Sequence, residues 1–176
     1  MWLVDATVEQ LQRWDRSASL QLNQALRYAA VRRVFQAVSW LGNGIVWYAL
    51  MLVLLARYGA DATQPVLHMI FVGVVGAAAY SMVKRGISRP RPYQALQSIA
   101  AGARALDAYS FPSGHTLHAV AFTLVACTYY PALGAFLFPF VLLTAVSRVV
   151  LGLHYPSDVL AGAALGALIA AASFGI

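Results

Sequence analysis

The sequence predicts an all-α fold: a polytopic membrane bundle of about five transmembrane helices, preceded by an amphipathic helix lying in the interface. Three observations predict it. The hydrophobic fraction is 61% and the charged fraction 10%, where a soluble domain carries about 25% charged residues. The surplus apolar surface must therefore face something other than water. The apolar residues also fall into runs close to the ~20 residues that a bilayer core demands. Links rich in Gly, Pro and charge, all short but the one from Lys84 to Phe111, separate those runs. A chain of 176 residues provides for one domain. The expected unit is 1–176, with residues 1–32 as the interfacial helix and 33–176 as the transmembrane core.

Residues 4–30 carry apolar groups at Val4, Val8, Leu11, Ala18, Leu22, Ala25 and Ala29, close to helical spacing. Glu9, Arg13, Arg16, Gln24 and Arg27 occupy the other face, and Thr7 with Gln10 fits a capping box. This stretch is too polar to cross a bilayer. It predicts a helix in the interface, with Trp14 and Tyr28 as headgroup-level anchors; a soluble helix packed on the domain is the alternative.

Val34 to Ala56 is the first span, and Gly42-Asn43-Gly44 predicts a kink or a late helix start within it. Pro65 to Val83 is the second, with Pro65 suited to a first turn and Gly73, Gly76 and Ala77–Ala79 offering a small-residue packing face. His68, near its start, reads as a packed or interfacial residue rather than a ligand. Lys84 to Phe111 is a long polar segment, and a connection of that length is usually functional or disordered. Within it, Ala95 to Leu106 suggests a short surface helix or lid. Gly114 to Tyr130 is the third span and Ala132 to Val150 the fourth, with Pro139 predicting a kink. Pro156 to Ile176 is the fifth, again with small residues at Ala161–Ala164, Gly166 and Ala167.

The net charge is +6. Its cations cluster beside apolar runs and form no basic tract, which argues against nucleic acid as a partner. Cys127 is alone, so an intrachain disulfide is ruled out. No short apolar region followed by a small-residue cleavage site marks a signal peptide.

Helix parity then brings the chemistry together. Span two ends at Lys84, span three begins at Gly114, span four ends near Arg148, and span five begins after His154. Up-and-down connection places all of these at one membrane face. Lys84, Arg91 and Arg148 form a cationic set matched to phosphate. Arg85, Arg89 and Arg104 read as ordinary charge flanking a span. Ser113 and Gly114 open a helix whose free first-turn amides suit an anion, and His115 is placed to donate a proton. His118, one turn further in, reads as packing. His154 and Asp158 are four apart, so a carboxylate bonded to one imidazole nitrogen would leave the other as a nucleophile. Ionisable groups this close to lipid are by default functional.

Lys84-x6-Arg91-Pro92, then Pro112-Ser113-Gly114-His115, then Ser147-Arg148-x5-His154-x3-Asp158 resembles the tripartite signature of the type 2 phosphatidic acid phosphatases. These are integral-membrane lipid phosphatases related to vanadium haloperoxidases. The resemblance implies a helical bundle, a phosphohistidine intermediate, no metal and no cofactor. It implies His154 as nucleophile, Asp158 as its orienting partner and His115 as general acid. It implies Lys84, Arg91, Ser113, Gly114 and Arg148 as the phosphate-binding set. Many members of that family have six spans, and here an interfacial helix stands in place of the first.

The expected substrate is a lipid phosphomonoester or diphosphate, of the undecaprenyl diphosphate, phosphatidylglycerol phosphate, phosphatidate or lipid A type. Membrane lipids are the expected surroundings, and the residues specify no oligomeric state. A lipid-phosphate transporter or flippase would use the same cations but would not need the His154–Asp158 pair. A scaffold would not need the intact motifs. The short chain and compact loops point to a bacterial inner membrane, and the resemblance implies a site on the periplasmic face. Charge counting points the other way: all of the twelve Lys+Arg except Arg57 lie on the site's side.

Overall fold

The computed structural model describes residues 2–175. The side chains of residues 1–5, Val4 among them, lie outside the described set. The described chain is helical throughout its regular structure: α1 Trp2–Asn23, α2 Ala29–Trp40, α3 Val46–Tyr58, α4 Thr63–Gly86, α5 Pro92–Ala95, α6 Gly114–Tyr129, α7 Gly134–Val150 and α8 Pro156–Ser173. Three stretches, Ala29–Gly86, Pro131–Val150 and Pro156–Ser173, are long and apolar enough to cross a membrane. The first folds back on itself at Gly59–Ala62, so it comprises the α2–α3 pair and α4. The protein is an integral membrane protein with an all-α bundle.

The first predicted span begins earlier than its hydrophobicity suggests. The chain breaks at Tyr28, which is extended (φ −90°, ψ 116°), and α2 starts at Ala29. Its predicted irregularity is present: Asn43 and Gly44 leave helical geometry between α2 and α3, and Gly44 takes φ 116°. That left-handed value is one only glycine adopts freely. In α7 the helix continues through Pro139. No helix forms over Ala95–Leu106. After the single turn of α5, residues 96–113 are irregular, because Gly102 and the Asp107–Ser110 stretch bond to side chains of other elements.

α1 turns a polar stripe inward. Asp15, Ser19 and Asn23 are buried at four-residue spacing, while Val8, Leu11, Trp14 and Leu22 are exposed. An outward apolar face suits a helix whose surroundings are lipid. Asn23 donates Nδ2–H to the Ala100 carbonyl (2.9 Å) and the Val150 carbonyl (3.0 Å), and its Oδ1 accepts the Ala100 amide (2.9 Å). One buried amide thus ties α1 to the long loop and to the end of α7.

The core sits between α3, α4, α6 and α7, where Trp47 meets Phe122 at 5.4 Å and Phe140 at 5.8 Å between ring centroids. α6 and α8 pack closest. A Cβ on Gly162 would stand 2.4 Å from the Ser113 carbonyl oxygen, and one on Gly166 2.3 Å from that of Leu117. Small residues let the two backbones meet, as expected where lipid supplies no hydrophobic drive between helices. The far end is closed by His68, whose ring nitrogens contact Tyr129 Oη (3.0 Å) and Ser173 Oγ (2.7 Å), the packed role expected of it.

Candidate active site

Four helix ends define the site: the C-termini of α4 and α7 and the N-termini of α6 and α8. Each contributes at a fixed depth. Lys84 lies in the last turn of α4, His115 in the first turn of α6, Arg148 in the last turn of α7, and Asp158 in the first turn of α8. Arg91 caps α5, and His154 stands in the short link between α7 and α8. The parity argument from the sequence therefore matches the placement of all three motif blocks.

The link is built for His154. Gly152 takes φ 70°, a left-handed residue that reverses the chain after α7. The amides of Leu153 and His154 both return to the Arg148 carbonyl (3.1 Å each). His154 is 2% exposed. Its Nδ1–H donates to the Ser110 carbonyl at 2.6 Å, and since a carbonyl only accepts, the proton must sit on Nδ1. Nε2 then carries a lone pair, and it faces Arg91 Nη1 at 3.3 Å. Burial first, then the charges of Arg148, Arg91 and Lys84, hold this imidazole well below its ordinary pKa. The ring is neutral, with its basic nitrogen turned toward cations.

The expected orienting partner behaves differently. Asp158 Oδ2 lies 3.8 Å from His154 Nδ1, beyond hydrogen-bonding distance. It accepts the Tyr155 amide instead (2.7 Å), while Oδ1 accepts Arg89 Nη1–H (2.6 Å). The physical reason is competition: the Ser110 carbonyl already occupies Nδ1, and the N-cap residue of α8, Tyr155, offers its amide to Asp158. Asp158 is fully buried and fixes the link that carries His154 rather than the ring itself.

Around them stand the cations. Arg91 is 1% exposed, and Nη1 donates to the Leu153 carbonyl (2.8 Å). Arg148 donates Nη1–H to Ser39 Oγ of α2, and its Nε has no acceptor among the described residues. A buried guanidinium N–H without an acceptor is costly. Arg148 is also within electrostatic reach of both His115 and His154. Ser113 Oγ pairs with Thr116 Oγ1 (3.0 Å) and its amide with the Asp158 carbonyl (3.0 Å), locking the start of α6 to α8. Gly114 and His115 line a cavity of about 420 Å³ together with Trp47, Tyr48, Ile70, Val74 and Tyr80. Tyr48, Ile70 and Val74 are exposed on the bundle's flank, so the cavity opens sideways between walls that are mainly apolar, with Asn43, Asp107, His115 and His118 as its polar groups. His118 also lines it, and donates Nδ1–H to the Gly114 carbonyl (2.8 Å), the packing role expected.

Several functional neighbours escape sequence reasoning. Arg89, read as flanking charge, instead bridges Asp158 and buried Asp15 of α1 (2.6 and 2.7 Å). Asp15 also accepts the Ser157 amide at 2.9 Å. Asp107 meets Lys84 at 2.5 Å and Arg91 at 2.8 Å. Ser39, Asp15 and Ser110 belong to no motif; the only sequence signal of Ser39 and Asp15 is polarity inside helical stretches, and Ser110, in the irregular polar segment, has none. Among the described residues no group of three or more His, Cys, Asp or Glu stands together as a metal-ligand set.

Fold and site together define a class: an integral-membrane helical bundle with buried cations and two imidazoles gathered at one end. The chain belongs to the PAP2 superfamily, whose profile matches residues 62–176. It is similar to the undecaprenyl-diphosphatase BcrC of Bacillus subtilis, with 34% identity over 71% of this chain and 65% of that protein. It is also similar to the decaprenylphosphoryl-5-phosphoribose phosphatase of Mycobacterium tuberculosis, with 40% identity over 56% of each. The chain thus spans less than two thirds of the length of these relatives. Among solved structures, the transmembrane PAP2-type phosphatidylglycerolphosphate phosphatase of Bacillus subtilis superposes with a TM-score of 0.78 at 25% identity, covering 94% of this chain and 85% of that one.

Proposed function

We propose that this protein is a membrane lipid phosphatase that hydrolyses a lipid phosphomonoester or diphosphate through a phosphohistidine on His154. The observation that carries the reading is the tautomer of His154: with Nδ1–H given to Ser110, Nε2 is left as a nucleophile facing a cationic cluster. Nε2 attacks phosphorus, the bond to the leaving oxygen breaks, and His115 gives that oxygen its proton. Water then attacks the phosphohistidine, His115 takes the water's proton, and inorganic phosphate leaves. Lys84, Arg91 and Arg148, with Ser113, Gly114 and the first-turn amides of α6, neutralise the equatorial oxygens, the main requirement of phosphoryl transfer. The unpaired Nε–H of Arg148 supports that assignment. Asp158 acts through the link it fixes.

The sideways, mainly apolar cavity ending at His115 supports a substrate whose tail stays in lipid. The names of the relatives support the prenyl diphosphate and prenyl-linked phosphate classes first, with phosphatidylglycerol phosphate, phosphatidate and lipid A phosphates beside them. Residues 1–176 act as one unit, in a bacterial inner membrane, with the site facing the periplasm. The test is a phosphate-release panel of these lipid phosphates with EDTA present. Wild-type protein releases phosphate, and His154→Ala lowers the rate by about a thousandfold or more. Release that requires added divalent metal, or that survives H154A, overturns the reading.

A further inference from the structure

The cationic cradle already contains an anion that belongs to the chain. Asp107 Oδ1 accepts from Lys84 Nζ at 2.5 Å and from Arg91 Nη2 at 2.8 Å. One oxygen shared between an ammonium and a guanidinium is the arrangement a phosphate oxygen takes up. The same arc of loop uses its backbone: the Asp107 carbonyl accepts Arg91 Nε–H at 3.1 Å, and the Tyr109 carbonyl accepts Lys84 Nζ–H at 3.0 Å. Burial works against the charge on Asp107, but Lys84 and then Arg91 outweigh it and hold the carboxyl below its usual range. It is an anion at neutral pH.

Asp107 also stands on the way in. The cavity reaches Gly114 and His115 and is bounded by Leu106 and Asp107; among the described residues, Lys84, Arg91, Arg148 and His154 are not in its lining. A phosphoryl group held by both Lys84 Nζ and Arg91 Nη2 must take the place of the Asp107 carboxylate. The loop is built to permit that. It is pinned on one side, where Gly102 donates to the Leu151 carbonyl (2.9 Å) and accepts from Gln36 (2.6 Å), and on the other, where the Ser110 amide donates to the Arg89 carbonyl (2.9 Å). Between these pins Arg104 and Leu106–Tyr109 are exposed, and the polar contacts of Asp107 and Tyr109 run to the two cations themselves.

We propose that Asp107 is an internal anion that fills the phosphate cradle between turnovers, gives way to the phosphoryl group of the arriving substrate, and returns to drive inorganic phosphate out. A dianionic phosphoryl group with three acceptor oxygens outcompetes a single carboxylate when its lipid tail holds it in the cavity. Free phosphate lacks that tail and competes poorly with an anion tethered at high effective concentration. Asp107 is thus a positioning residue that weakens product binding. The lipid part of this statement rests on the phosphatase reading above; the competition for the cradle does not.

The test titrates inorganic phosphate into the detergent-solubilised full chain by calorimetry, comparing wild type with Asp107→Asn, which keeps shape and removes charge. The D107N protein binds phosphate about tenfold or more tightly than wild type. Equal or weaker binding by D107N, or no binding by either protein, overturns the proposal, because a merely structural Asp107 would weaken the cradle when removed. Should D107N not fold, hydrogen–deuterium exchange on the wild type decides: saturating phosphate accelerates exchange at residues 104–110, against the usual protection by a ligand. Unchanged or slowed exchange there overturns the proposal. The two readings fail separately. Tighter phosphate binding without lipid phosphate hydrolysis sinks the phosphatase alone, and hydrolysis with unaltered phosphate affinity sinks the internal anion alone.

Discussion

His154 shows how much one carbonyl decides. The Ser110 oxygen selects its tautomer at 2.6 Å, and three cations together with burial keep the ring neutral. That state has a consequence for stability. The unfolded ring titrates at about 6.5, while the folded ring resists protonation, so the unfolded chain takes up protons first as pH falls. The contribution of His154 is complete above about pH 6.5 and is lost progressively below it. Thermal melts in detergent from about pH 7.5 to about pH 5 therefore show a steeper decline for wild type than for His154→Asn; parallel declines would contradict the neutral buried ring. Histidine at 154 is visible in the sequence as a motif member. Its hydrogen-bond partner is not, since Ser110 lies 44 positions away and contributes only backbone.

Among the elements, α6 and α8 carry the tightest constraint. Their backbones meet at Gly162 and Gly166, and through Ser113 the contact sets where α6 begins. Alanine at 166 would push against the Leu117 carbonyl, which cannot swing away as a side chain tip can. Gly166→Ala is expected to destabilise by about 1–3 kcal/mol and to lower the melting temperature in detergent. Gly86→Ala, at a position where a Cβ meets nothing within 4 Å, leaves it within about 1 kcal/mol of wild type. The small-residue pattern on the last span announces close packing, but not the partner. α1 was legible as amphipathic, yet its buried face is the polar one. Asp15 and Asn23 dock on Ser157, Arg89, Ala100 and Val150, and outward-facing exposed residues supply the apolar stripe.

For the whole molecule, orientation in the membrane has a direct measurement. The proposed periplasmic site predicts that Ala101→Cys, made in a Cys127→Ala background, reacts with a membrane-impermeant maleimide in intact spheroplasts. Ala101 is exposed in the long loop beside the site and Cys127 lies within α6. Labelling only after the membrane is permeabilised would place the site in the cytoplasm, as the positive charges on that side suggest. The short far-side turns Gly59–Ala62 and Pro131–Leu133 leave that face little more than Arg57 as a charge signal.

The sequence by itself determined the membrane bundle, the order of its spans and the face on which the three motifs meet. Each of these follows from hydrophobic length and helix parity, which are local or countable. The irregularity at Gly42–Gly44 was legible because glycine pairs break helices locally. Only the tertiary structure decided who touches whom within the site: Ser110 rather than Asp158 on His154, Arg89 bridging Asp15 to Asp158, and Asp107 between Lys84 and Arg91. Those contacts join residues far apart in the chain through an irregular loop, and irregular backbone has no period from which partners can be read.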